Sequence, residues 1–122
     1  MKLAAFTSGD INMASSRLRC FYIFRSNAWK DHEVAFNPNL YSIKSFDWLH
    51  IQKMYAPRYI LLSIYARLMG KFVIFDIDDE SAKLSHRIAI FIMFKLSNIV
   101  ACDSELKQKY FIKKYNQKNI VV

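Results

Sequence analysis

The chain has 122 residues, 53% hydrophobic and 16% aromatic, with two Gly and two Pro. That is the length of one domain, with too much apolar side chain for a disordered tail and too little Gly and Pro for a linker or fibrous repeat. The net charge of +8, from 18 Lys and Arg against 10 Asp and Glu, favours anionic partners: phosphorylated substrates, nucleic acid or an anionic membrane surface.

In chain order, residues 2–7 read as a short buried strand ending in the polar turn Ser8-Gly9-Asp10. Ser15 and Ser16 offer an N-cap, and Leu18, Phe21, Tyr22 and Trp29 recur near helical spacing, so a helix is expected over 16–28. Residues 32–37 and 46–53 suit two further strands. Pro57 then opens a helix in which Ile60, Leu61, Ile64, Tyr65 and Leu68 form an apolar stripe, closed by Gly70. The continuous apolar run over 71–76 is the central strand, covered on both faces. A helix over 82–96, a strand over 98–102, a helix capped by Asp103-Ser104-Glu105 and a strand over 119–122 complete the order. Strands separated by helices of this length predict βαβ units: a single Rossmann-like, three-layer α/β/α domain over 1–122, with a mostly parallel sheet.

Ligands of such sheets bind beyond the carboxyl ends of the strands, which directs attention to the residues that follow each one. After the first come Ser8 and Gly9, then Arg17 and Arg19 in the expected first helical turn, where the helix dipole disfavours cations. A phosphate bound there would offset them, and so would Asp10 or solvent. Gly9 is the region's one glycine, so no dinucleotide-binding turn is present. Gln52 and Lys53 end the third strand. The fourth runs into FDIDDE, which places Asp76, Asp78 and Asp79 at the mouth of the presumed cleft, suited to general-base work or to sugar hydroxyls. Asp103 and Ser104 follow the fifth. His32, His50 and His86 lack ligand spacing, so no metal is expected. Cys20 and Cys102 lie in apolar runs without a CxxC pattern and are expected to be reduced, buried thiols.

Polar residues at positions 7–10 interrupt the N-terminal apolar stretch before a signal-peptide core forms. The longest apolar run, 88–94, falls far short of the roughly 20 residues that span a bilayer. The expected location is the cytoplasm, with peripheral contact to the inner face of an anionic membrane.

The ordered segments ASSRLR, DWLHIQK, GKFVIFDIDD and NIVACDSELKQKYFIKKY followed by NIVV resemble the N-terminal, acceptor-side domain of family-4-like glycosyltransferases of the GT-B fold. The resemblance covers nearly the whole chain and rests on the order and spacing of motifs that are individually weak. It implies transfer of a sugar from a nucleotide-sugar co-substrate to a glycan or lipid-linked acceptor, without an obligatory metal. Asp78 and Asp79 would be the catalytic carboxylates. Ser8, Gly9, Arg17, Arg19, Gln52, Lys53, Asp76, Asp103 and Ser104 would bind substrate. It also implies a second, donor-binding domain that these residues do not include, so the chain is expected to be inactive without that domain or an equivalent partner.

Two other readings follow from the residues. VIFDIDD resembles the first motif of haloacid-dehalogenase-type phosphatases, with Asp76 as nucleophile and Asp78 as acid. That motif normally opens the first strand, and no later acidic pair for Mg²⁺ follows here. A small basic module for nucleic acid would interleave aromatic and basic residues on one exposed surface; Phe21, Phe72, Phe75 and Phe91 instead fall at core-like spacing.

Overall fold

The strands β1 (Lys2–Phe6), β2 (Glu33–Phe36), β3 (Trp48–Gln52), β4 (Phe72–Asp76), β5 (Ile99–Ala101) and β6 (Ile120–Val121) form one sheet in a computed structural model describing residues 1–122. Their spatial order is β2-β1-β3-β4-β5-β6, and every neighbouring pair is parallel. All carboxyl ends therefore lie along one rim. The order reverses direction beside β1, which makes the β1/β3 boundary the switch point where a doubly wound sheet opens a crevice.

The pleat sends alternate side chains to opposite faces. Ala4, Phe6, Leu49, Ile51, Val73, Phe75 and Val100 face a core built with α2 (Pro57–Leu68), α3 (Leu84–Leu96) and α4 (Glu105–Tyr115). Phe94 is its hub, within aromatic contact of Phe75, Phe111 and Tyr115. Leu3 and Ala5 face the other way, against Cys20 and Phe24. Those two belong to α1, a continuous helical stretch over residues 14–24. The result is a three-layer α/β/α fold of Rossmann type. Beyond α1 that second face stays partly open, with Val121 exposed and Ile74 and Ile99 half-buried.

Three local findings revise the sequence reading. First, α1 ends at Phe24 rather than near residue 28, because Ser26 Oγ donates to the carbonyl of Ile23 (2.7 Å) and the chain turns into a short 3₁₀ segment, Asn27–Trp29. Trp29 then folds back edge-on to Phe24. Second, the middle of α1 is a π-turn, Arg17–Phe21. Over eight residues a straight α-helix drifts by about 80°, whereas the wider π-turn keeps Ser16, Cys20 and Phe24, spaced by four, all buried against the sheet. Leu18 and Tyr22, two of the residues whose spacing predicts the helix, are exposed. Third, α2 buries Tyr59, Leu62, Ser63 and Ala66; the stripe Leu61, Ile64, Tyr65 and Leu68 points to solvent. Phe91, assigned to the core by spacing, is likewise 44% exposed.

The ends of α2 and α4 follow the sequence closely. Pro57 occupies the first helical turn of α2. Gly70, at φ +71°, closes that helix with the Gly70 amide donating to Arg67 and the Lys71 amide to Ala66, the paired bonds of a Schellman motif. Ser104 caps α4 through its side chain, and Asn116 ends it in the left-handed region.

Candidate functional site at the carboxyl rim

Register places Gln52 of β3 opposite Asp76 of β4, so both side chains emerge at the rim on the face that α1 covers. Alternation along β3 puts His50 on that same face. Asp76 is 3% exposed and is held by a two-pronged guanidinium. Arg19 Nε donates to Asp76 Oδ2 at 3.0 Å, and a second Arg19 nitrogen grips Oδ1. Such fork-to-fork pairing is the strong form of a charged hydrogen bond. Arg19 also lies 3.8 Å from Asp78, and Lys53 closes on the same Asp78 carboxylate.

Lys53 reaches Asp78 from an unusual backbone. Its φ of +55° lies in the left-handed region, which costs a non-glycine residue energy and recurs at functional sites. Its amide donates to the carbonyl of Asp76 at 2.8 Å, so the kink at the end of β3 is tied to the end of β4. The other positive-φ residue on this rim, Asn37 after β2, accepts from the Thr7 amide and donates to Thr7 Oγ1, both at 2.8 Å. Thr7 Oγ1 in turn donates to the carbonyl of Gly9 at 2.6 Å, which fixes the loop carrying Ser8 and Gly9. Gln52 Oε1 accepts from Ser16 Oγ at 3.2 Å and lies 3.4 Å from the Ser8 amide. Its amide nitrogen is buried without a partner.

Behind Asp76 lies a second tier. His50 Nε2 is 3.7 Å from Asp76 Oδ2, and His50 Nδ1 is 3.7 Å from Cys20 Sγ. The rings of His50 and Phe24 meet edge-on. Burial, with Arg19 nearby, pushes the imidazole down to about 4. Burial, helped by Asp76, pushes the Cys20 thiol up to about 12. Both groups are therefore neutral near pH 7, and the protonated thiol faces Nδ1 as the available donor. Asp76 is raised to about 6, burial outweighing the opposing pull of Arg19. Repulsion from the neighbouring Asp78 ranks below both.

Cys20, His50 and Asp76 bring a sulfur, a ring nitrogen and a carboxylate oxygen within 4.8 Å of one another, a cluster that sequence spacing did not suggest. Arg19 holds both oxygens of that carboxylate, so a metal ion would have to displace a bidentate guanidinium. The donor set is better suited to a buried ion-pair network than to a metal centre.

Of the residues singled out in the sequence, Ser8, Gly9, Arg19, Gln52, Lys53, Asp76 and Asp78 come together here. Arg17 is half-buried in the π-turn and takes no part in the network. Within the chain Arg19 is met by Asp76 and Asp78, while Asp10 accepts from the Asn12 amide at 2.9 Å. Asp79 points to solvent with its side chain 80% exposed, 3.5 Å from Lys107. Asp103 pairs with Lys107 at 2.9 Å, which holds its carboxyl below the ordinary range. The Ser104 hydroxyl is engaged as the cap of α4. Glu80, passed over in the sequence, anchors the FDIDDE loop to α4 by accepting from Lys114, Tyr110 and Tyr115. His50 and Cys20 were also missed; the alternation W-L-H-I-Q in β3 was the available signal for His50.

Three hollows open along the rim: one of about 390 Å³ is lined by Arg19, His50, Asp76 and Asp103 among others, and the other two border Lys53. Of the latter two, the first, of about 370 Å³, is lined by Ser8, Lys53, Tyr55, Asp78, Asp79 and Ser81 among others. The second, about 540 Å³ and more apolar, lies at the N-terminal ends of α2 and α3 and shares Lys53 and Tyr55 with the first. Tyr55 stands edge-on to His86 there at 5.3 Å. The pair offers charged and hydrogen-bonding groups in one hollow and an apolar wall in the next. No protein-family model, curated protein or solved structure matches this chain.

Proposed function

We propose that this domain is the acceptor-binding half of a sugar-transferring enzyme of the GT-B type, working on a nucleotide-sugar donor held by a second domain or partner. The observation that carries the reading is the meeting of Arg19, Lys53 and Asp78 at the switch point of an all-parallel sheet, beside an apolar-walled hollow. A glycan or lipid-linked acceptor presents hydroxyls for a carboxylate and, where phosphorylated, charge for cations. Asp78 is the group within reach of both Arg19 and Lys53 that still borders the open hollow, so it is assigned to the acceptor hydroxyl. Asp76, buried and gripped on both oxygens, positions Arg19. Gln52, fully buried, holds Ser16 and the Ser8 loop in place behind the site. Asp79, further out, is assigned to the rim of the acceptor site rather than to the reacting hydroxyl.

The phosphatase reading fares worse on the same geometry. A carboxylate that attacks phosphorus must be open to its substrate, and Asp76 is 3% exposed with both oxygens engaged by Arg19.

The test is an amide chemical-shift titration of the chain with phosphorylated oligosaccharides, free nucleotide-sugars and an unrelated oligonucleotide. The expected result is a response at Ser8, Lys53 and Asp78 to the phosphorylated glycan, abolished in Asp78→Asn. A response confined to other surfaces, or to the oligonucleotide alone, would remove the basis for the proposal.

A further inference from the structure

The outward faces of α2 and α3 are unlike those of an ordinary surface helix. A helix packed on a sheet normally turns charged and polar residues to water. On α2 the outward stripe is Leu61, Ile64, Tyr65 and Leu68, at i, i+3, i+4 and i+7, and Leu61 and Leu68 are 66% and 82% exposed. On α3 it is Leu84, Ile88 and Phe91, with Leu84 71% and Ile88 53% exposed, and Arg87 and Lys95 fall on the same stripe. The two helices pack side by side on one face of the sheet, so both stripes point away from it and form one continuous surface. Contiguous exposed apolar area of this kind marks an interaction site.

The charges around the patch select the partner. Arg58, Arg67, Lys83, Arg87 and Lys95 stand on or beside the two helices, and no Asp or Glu occurs from 54 to 75 or from 81 to 102. The acids of this chain lie elsewhere, at the rim or on the other elements. Long cationic side chains rising from an apolar surface can keep their heads at a charged interface while their stems lie on hydrocarbon. Lys95 lies over the Phe91 ring at 5.5 Å and Arg58 over Tyr59 at 4.8 Å. Beside α2 the surface continues into a hollow of about 470 Å³ lined by Tyr41 and Lys44 together with Leu61 and Tyr65. α4 supplies the contrast within the molecule. It carries four lysines against two cations on each of α2 and α3, yet its mean hydropathy is negative where theirs are positive.

From this placement we infer that the α2–α3 face lies on an anionic lipid bilayer, its leucines, isoleucines and Phe91 entering the headgroup boundary and its arginines and lysines meeting acidic headgroups. No helix is long and apolar enough to cross the membrane; the contact is peripheral, driven by buried apolar area and by attraction to negative lipid together. The inference stands apart from the reading of the rim and does not need sugar transfer to be right.

The experiment is flotation of the purified chain with vesicles of phosphatidylcholine alone or mixed with phosphatidylglycerol. The chain is expected to float with the mixed vesicles and not with the neutral ones, and to be released by salt. Leu68→Ser/Ile88→Ser and Arg67→Glu/Arg87→Glu should each weaken binding about tenfold or more, with unchanged circular dichroism and melting. Lys109→Glu/Lys113→Glu on α4, an equal change of net charge, should leave most of it. Failure to float with anionic vesicles would overturn the inference, as would equal losses in the α4 variant or full binding by the α2–α3 variants. So would a dimer, seen by light scattering, that Leu68→Ser/Ile88→Ser dissolves without any lipid binding; that outcome would assign the face to a second copy.

Discussion

The carboxyl rim and the outer face of α2–α3 invert the usual distribution of side chains in opposite senses. At the rim, Asp76 is buried with Arg19, His50 and Gln52 about it, an arrangement in which desolvation works against the ion pair. On the helical face, Leu61, Leu68 and Leu84 stand in water although the same chain has a core of Phe, Ile and Leu to place them in. Neither choice is what folding alone would favour. The difference between them is energetic: the rim groups depend on one another and fail together, whereas each exposed leucine is independent of the fold and can be changed without consequence for it.

The largest expected effect is at the rim. Arg19→Ala strips a buried carboxylate of its partner and should cost about 3 kcal/mol in urea unfolding near pH 8. The loss should narrow as the solution is acidified, because Asp76, no longer restrained by Arg19, takes up a proton and ceases to be a buried charge. A loss below about 0.5 kcal/mol, typical of open surface positions, would erase the distinction drawn between the two regions.

A pH effect of intermediate size tests the second tier. Asp76, raised to about 6 by burial, binds its proton more tightly folded than unfolded. Its contribution is complete below its ordinary value of 3.8 and is lost as pH rises through about 6. His50, lowered from 6.5 to about 4, does the reverse: its contribution is complete above 6.5 and is lost as pH falls through about 4. Between those limits the two oppose one another. Replacing His50 by Gln removes one side of the balance. The variant should therefore gain on the wild type by about 2 kcal/mol between pH 7 and pH 4, read as the change in the difference of urea midpoints. A constant difference across that range would show that His50 does not remain neutral in the fold.

The smallest expected effect sharpens the comparison from the other side. Leu68→Ser with Ile88→Ser should change stability by no more than about 0.5 kcal/mol, as surface replacements do, while weakening the binding to anionic vesicles about tenfold or more. Marked destabilisation would mean that these side chains serve the fold after all.

Much of this architecture could be read from the chain. Continuous β-branched runs such as KFVIFD, separated by helical lengths, dictate a parallel sheet, and a parallel sheet dictates a common rim. The local stops were legible too: Pro57 before α2, Gly70 after it and Ser104 before α4 act through their own backbone chemistry, which needs no distant partner. The residues at strand ends, Arg19, Lys53, Asp76 and Asp78, could be nominated on that ground alone.

What only the tertiary structure decided is which nominee meets which, and which side of an all-apolar helix goes inward. Arg17 and Arg19 are indistinguishable by spacing; the π-turn in α1 delivers one to Asp76 and not the other. Cys20, His50 and Asp76 come from separate elements, and no local pattern announces their meeting. α2 carries apolar residues on both sides, so its periodicity has no unique phase, and the stripe that looked like core proved to be the outward one. A sequence pattern reports the period of an element. Its facing is set by what packs against it, and here α2 turns Tyr59, Leu62 and Ala66 into the core, with Ser63 against Met93 of α3, and leaves Leu61 and Leu68 outside.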